Sequence, residues 1–166
     1  MTIEPMSWVP KRPSGLPVRA EYIPRLLHKL MGWVLWRYER RKRKWTKVPF
    51  RPDGNRASTT DPRTWSDFGT VLNAYRERAW DGIGFVLSAY PDLVGIDLDK
   101  CRDTRTGVTE AWAQEIMEKL NSCMELSPSG TGVKIWVKRR DWFFSPASEF
   151  IESVAPFHTL IEIEHP

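Results

Sequence analysis

The sequence predicts an α+β domain in which helices flank a mostly antiparallel sheet. Three observations carry that prediction. Short β-rich runs recur along the chain, and residues 33–38 and 44–50 are joined by a tight polar turn. Two longer stretches, 61–75 and 109–120, instead repeat apolar residues at three- and four-residue spacing. The resulting order is helix, hairpin, helix, hairpin, helix, then strands, which is the order of an α+β fold.

Each element follows from local chemistry. Residues 1–20 read as an irregular, Pro-rich lead, and residues 21–166 as the domain proper. Ile23, Leu26, Leu27 and Leu30 predict a short helix over 22–31 that Gly32 ends. Trp33-Val-Leu-Trp-Arg-Tyr38 and the run 44–50 make a hairpin, with a turn at 52–55. Thr60 or Asp61 caps a helix with Pro62 in its first turn and Trp65, Phe68, Val71, Leu72 and Tyr75 on its apolar face. Residues 83–87 and 93–99 read as short strands. Thr109 opens a helix that presents Trp112, Ile116 and Leu120. A Ser/Gly loop at 127–132 leads into a strand over 132–137, and a last strand covers 159–164.

Composition fits this picture. With 166 residues, 41% of them hydrophobic and 28% charged, the chain suits one soluble domain with a real core. No apolar run approaches the ~18–20 residues that a membrane span needs. The N-terminus shows no signal-peptide pattern. Cys101 and Cys123 give neither a disulfide framework nor metal-site spacing. A cytoplasmic protein without a membrane partner is expected.

Charge is uneven. Residues 1–60 carry 14 Lys/Arg against 4 Asp/Glu, whereas residues 61–166 carry 11 against 17. The basic excess peaks at Arg40, Arg41, Lys42, Arg43 and Lys44, between Trp36 and Trp45, with Lys47 just beyond. A basic cluster among aromatics can hold phosphates and stack bases. The same cluster also serves as a solvated hairpin turn.

Four groups can do chemistry. Asp97 and Asp99 stand two residues apart on a predicted strand, so both carboxylates share a face while Ile96 and Leu98 face a core. Carboxylates that close repel unless a cation lies between them, which suits Mg²⁺ or Mn²⁺. A strand end meeting solvent, with Asp99 capping a turn, has the same pattern. Glu162 and Glu164 repeat the spacing on the last strand. Beside the Asp97 strand they would complete a two-metal site, and alone they would be a solvated edge. Ser127, Ser129, Gly130 and Gly132 form a loop whose amides and hydroxyls can meet an anion, with Lys134 following. It is not a P-loop, because Lys134 does not follow a glycine and no helix comes next.

The order of these stretches resembles the bifunctional primase–polymerase domain of the archaeo-eukaryotic primase superfamily, in its phage and plasmid form. The resemblance runs from about Trp33 to Glu164. It rests on Trp33-Val-Leu-Trp-Arg-Tyr-Glu39, Lys47-Val-Pro-Phe50, Ala57-Ser-Thr-Thr-Asp-Pro-Arg-Thr-Trp65, Asp81-Gly-Ile-Gly-Phe-Val-Leu87, Gly95-Ile-Asp-Leu-Asp-Lys-Cys101, Glu125-Leu-Ser-Pro-Ser-Gly-Thr-Gly132 and Ile161-Glu-Ile163. It implies an RRM-like catalytic core. It places the family's Asp-hydrophobic-Asp metal pair on Asp97 and Asp99, and the single acidic ligand of its third motif on Glu162. Glu164 stands where relatives often have tyrosine. The serine-rich second motif falls on Ser127 and Ser129, with Lys134 in place of the histidine that contacts nucleotide phosphates. Lysine binds phosphate as a point charge but cannot act as a neutral imidazole.

Relatives continue past the third motif with an Arg-Tyr strand and a Thr-Gly turn, so the domain is expected to be incomplete at its C-terminal end. A helicase is expected as a separate or missing partner. The function so implied is template-directed nucleotidyl transfer from NTPs or dNTPs on a DNA template and primer. A non-catalytic nucleic-acid-binding remnant and a metal-dependent nuclease are the alternatives.

Overall fold

The computed structural model describes residues 11–77, 79–138 and 160–163. Its elements run α1 (Arg25–His28), β1 (Trp33–Arg41), β2 (Lys44–Phe50), α2 (Phe68–Glu77), β3 (Gly82–Phe85), β4 (Leu93–Leu98), α3 (Ala111–Leu120), β5 (Cys123–Leu126), β6 (Val133–Lys138) and β7 (Leu160–Ile163). The fold is α+β, as the pattern predicts, but the strands divide into two sheets. One has the order β2-β1-β3 and the other β5-β6-β4-β7. Every pairing is antiparallel except that of β4 with β7, which is parallel.

Each sheet has its own apolar face and its own helical cover, and this is why they separate. Trp33, Leu35, Val48 and Phe50 pack with Phe68, Val71 and Ala74 of α2 and with Leu27 of α1. Val94, Ile96 and Leu98 of β4 interdigitate with Val133, Ile135 and Val137 of β6 beneath Ala113 and Leu120 of α3. The alternation of β4 and β6 therefore buries one face of the second sheet and frees the other.

Three helices are shorter than the sequence pattern predicts. Pro24 starts α1, because a residue before proline is disfavoured in the helical region, so residues 22–23 stay outside it. The predicted helix from Asp61 breaks in two. Asp61 accepts from the Arg63 amide at 3.1 Å and caps only a 3-10 turn over Pro62–Thr64. Asp67 then provides the real start of α2, accepting from the Thr70 amide at 2.9 Å. Thr109 lies before α3 in a bridge with Arg102, and Asn121 ends α3 in the left-handed region at φ 40°.

The β1–β2 hairpin turns on Lys42 and Arg43, both at positive φ (44° and 68°). That is the geometry of a two-residue type I′ turn, in which Asn-Gly is strongly preferred. Lys42→Asn combined with Arg43→Gly should stabilise the domain by about 1 kcal/mol in denaturant unfolding, by relieving left-handed strain at two side chains. The segment 11–20 is irregular but anchored. Arg12 pairs with Asp81 at 2.5 Å, and the Tyr75 hydroxyl accepts from the Val18 amide at 3.3 Å.

Candidate active site

The free face of the second sheet carries one row of charge. Asp97 on β4 is in register with Lys134 on β6, and Lys134 with Glu125 on β5. Paired register positions share a face, and neighbouring strands lie about 4.8 Å apart, so the three side chains rise side by side. The Lys134 ammonium donates to Asp97 Oδ2. The Asp97 side chain is only 13% exposed, and its Oδ1 is buried with no hydrogen-bond donor among the described residues.

Asp99 falls one residue past the end of β4, where Lys100 turns at φ 53°. Asp97 and Asp99 therefore do not share one strand, although both act electrostatically on Lys47 and on the Cys101 thiol. Glu162 on β7 is at the register position of Asp97. The sequence places it beside the aspartates, and the parallel pairing puts its backbone there. Glu164 lies outside the described residues. Among the described residues, no three His, Cys, Asp or Glu side chains form a metal-binding group.

The Ser/Gly loop is held by its own bonds. Ser127 is buried, and its Oγ accepts from the Gly132 amide at 3.0 Å. A hydroxyl chain continues from Ser127 to Ser129 at 2.9 Å and from Ser129 to Thr131 at 2.8 Å. The Gly130 amide donates to the Ser127 carbonyl at 2.8 Å, with Gly130 at φ 75°. The amides of Gly130 and Gly132 are thus spent inside the loop, and its hydroxyl chain ends at the exposed Ser129 and the half-buried Thr131. Gly132 allows the close approach the site needs. A Cβ there would lie 2.6 Å from the Leu98 carbonyl oxygen and 3.5 Å from the Asp99 Cα. The loop is therefore packed directly on the strand end that carries the aspartates.

The first sheet closes the site from across a cleft. Its free face presents Trp36, Tyr38 and Lys47, with Gly82 and Gly84 beneath the Trp36 indole. Trp36 donates to the Ile83 carbonyl at 3.0 Å, and the Lys47 ammonium lies 5.4 Å from the Trp36 ring centre. Surrounding protein and then Lys134 hold the Lys47 ammonium below its ordinary value, while Asp97, Glu125 and Asp99 pull it upward. Burial raises the Glu125 carboxyl, and Lys134 and Lys47 draw it back down. Both residues keep solvent access along the cleft. Beside them is a cavity of about 410 Å³, bordered by Trp36, Gly82 and Phe85 on one side and by Met124, Glu125 and Trp136 on the other.

Arg40, Arg41, Lys42, Arg43 and Lys44 form the exposed tip of the hairpin, which begins three residues, about 10 Å, along β2 from Lys47 at about 3.3 Å per residue. The structure thus splits the basic set, with Lys47 in the cleft and the rest outside it. Sequence reasoning missed Glu125 and Trp136 as site residues. Their one available signal was position, with Glu125 two residues before Ser127 and Trp136 two residues after Lys134.

No family model matches the chain. The DNA primase-polymerase of Nitratiruptor phage NrS-1 is 35% identical to it over 112 residues, a stretch that is 67% of this chain and 15% of that protein. The chain thus matches a small part of that relative's length. The order of motifs, the carboxylate-bearing strand seated against the Ser/Gly loop, and this similarity together support a phage-type primase–polymerase domain.

Proposed function

We propose that this domain carries out template-directed nucleotidyl transfer in the DNA replication of a phage or other mobile element. The observation that carries this reading is the buried Asp97 Oδ1, without a hydrogen-bond partner among the described residues, at the floor of a cleft that also holds Lys134 and Lys47. A hard oxygen donor with no hydrogen-bond donor aimed at it suits Mg²⁺ or Mn²⁺. Asp97, Asp99 and Glu162 would hold two such ions, with Glu164 as a further candidate. Bound metal would lower the pKa of an attacking 3′-hydroxyl and stabilise the charge on the leaving pyrophosphate.

The protein's own groups do the positioning. Lys134, Lys47 and the Ser129 and Thr131 hydroxyls supply positive charge and donors for a triphosphate, with Ser127, Gly130 and Gly132 fixing the loop that presents them. The aromatic cavity lies next to those groups and suits the base and sugar of the incoming NTP or dNTP. Positioning and electrostatics suffice for phosphoryl transfer, so no histidine general base is required.

The hairpin tip would track the DNA backbone. Replacing Arg41, Lys42 and Arg43 by serine should weaken single-strand binding and flatten its salt dependence by about 0.7 in slope for each phosphate no longer neutralised. Anisotropy titrations at several salt concentrations check this.

The reading as a whole is tested by offering one labelled nucleotide at a time to primed templates with Mn²⁺ or Mg²⁺. Incorporation that follows the template base is the expected result. Shortening of the primer would favour a nuclease. Retained DNA binding without incorporation would favour a non-catalytic module.

A further inference from the structure

The charged row across β4, β6 and β5 holds one cation between two carboxylates and bonds it to only one of them, while the other, Glu125, has a hydrogen bond with Trp136. Lys134 is bonded to Asp97, and Glu125 is the equivalent neighbour on its other side. A lysine side chain is a flexible four-carbon stem bearing a compact ammonium, so it can lean to either adjacent strand. Its present partner is also the residue whose second oxygen has no hydrogen-bond partner among the described residues.

We propose that Lys134 is a resident counter-cation that alternates between Asp97 and Glu125. A divalent ion would then bind at Asp97 by displacing the ammonium, and Glu125 would receive it. The proposal rests on the metal-dependent reading above. It gives Glu125 a role as a positioning residue that never touches the metal.

A divalent ion beside Asp97 with Lys134 still in place would set three positive charges around one carboxylate. Lys47, which acts electrostatically on Lys134, Asp97 and Glu125 alike, adds a fourth to the same cleft. Moving Lys134 to Glu125 removes one charge from the metal's immediate surroundings while keeping the ammonium paired. It also brings the ammonium out along β5, where the cleft is open and Glu125 is accessible. Without Glu125, the displaced ammonium would have to remain unpaired, and metal binding would bear that penalty.

The test is a double-mutant cycle on Mn²⁺ affinity, read from the free-Mn²⁺ EPR signal on the full chain without nucleotide. Lys134→Met should bind Mn²⁺ about tenfold more tightly, and Glu125→Gln several-fold more weakly, within the usual range for coupled ligands. In the Lys134→Met background, Glu125→Gln should change affinity less than twofold. Lys134→Gln, which keeps a polar tip, should behave like Lys134→Met, and thermal melts check that each variant folds.

The relay is overturned if Lys134→Met binds no more tightly than wild type, or if Glu125→Gln keeps its full effect in that background. If Asp97→Asn binds Mn²⁺ as tightly as wild type, or no variant binds it at all, then the metal reading itself fails and takes the relay with it. The two failures are therefore distinguishable.

Discussion

Asp97→Asn should lower nucleotide incorporation by about a thousandfold or more while leaving the domain folded. On the two-metal proposal, losing one anionic ligand would remove several kcal/mol of charge stabilisation from the transferring group, and about 4 kcal/mol corresponds to that factor. The fold survives because Asp97 belongs to the free face of β4, and Val94, Ile96 and Leu98 hold the strand in the core. Lys134 retains Glu125 as an adjacent carboxylate, so the substitution does not strand a charge. Incorporation assays beside a thermal melt separate the two effects. A parallel fall in melting temperature and activity would show that Asp97 acts through stability instead.

Gly132→Ala should be nearly as damaging, by a different route. The new Cβ would start 2.6 Å from the Leu98 carbonyl oxygen, and the obstacle is backbone, which cannot rotate aside. Relief requires the Ser/Gly loop or the end of β4 to move, at a cost of about 2 kcal/mol. The displaced segment carries Asp99, and the loop carries Ser127 and Ser129. A shift on the order of 1 Å there should reduce incorporation roughly a hundredfold beyond the loss of stability. Gly84→Ala is the control for the stability cost alone, since its Cβ would meet nothing closer than 3.6 Å while Gly84 itself borders the cavity. Denaturant unfolding on both variants and incorporation kinetics on Gly132→Ala check the contrast.

Much of this site is legible in the sequence because it is local. The alternation Val94–Leu98 fixes which face Asp97 takes, and the same alternation in 133–137 fixes Lys134 on the matching face. The hairpin with its basic tip follows from two β-rich runs and a short polar turn. What escapes the pattern is either marginal or non-local. β5 is four residues of mixed polarity, too short to show a period. The break between Asp61 and α2 depends on Ser66, which bridges to Trp33 in a strand more than thirty residues away. Lys47 joins the site only because the two sheets face each other, and no spacing in the sequence expresses that.

Asp99 illustrates the limit of period-2 reasoning. The alternation places it beside Asp97 on one strand, yet the chain turns after Leu98, so its approach to the site depends on the turn and on Gly132 beneath it. Among the described residues, no helix is long and apolar enough to cross a membrane.

The central claim is that a divalent ion is held at Asp97, in the cleft between the two sheets. Paramagnetic broadening of backbone amides by substoichiometric Mn²⁺ tests it most directly. The account predicts that amides of Ile96, Asp97, Leu98 and Asp99, with Lys134 across the strand pair, are lost first, and that Asp97→Asn restores them. Broadening centred elsewhere, for instance on the exposed face of α3, or broadening at β4 that persists in Asp97→Asn, would contradict it.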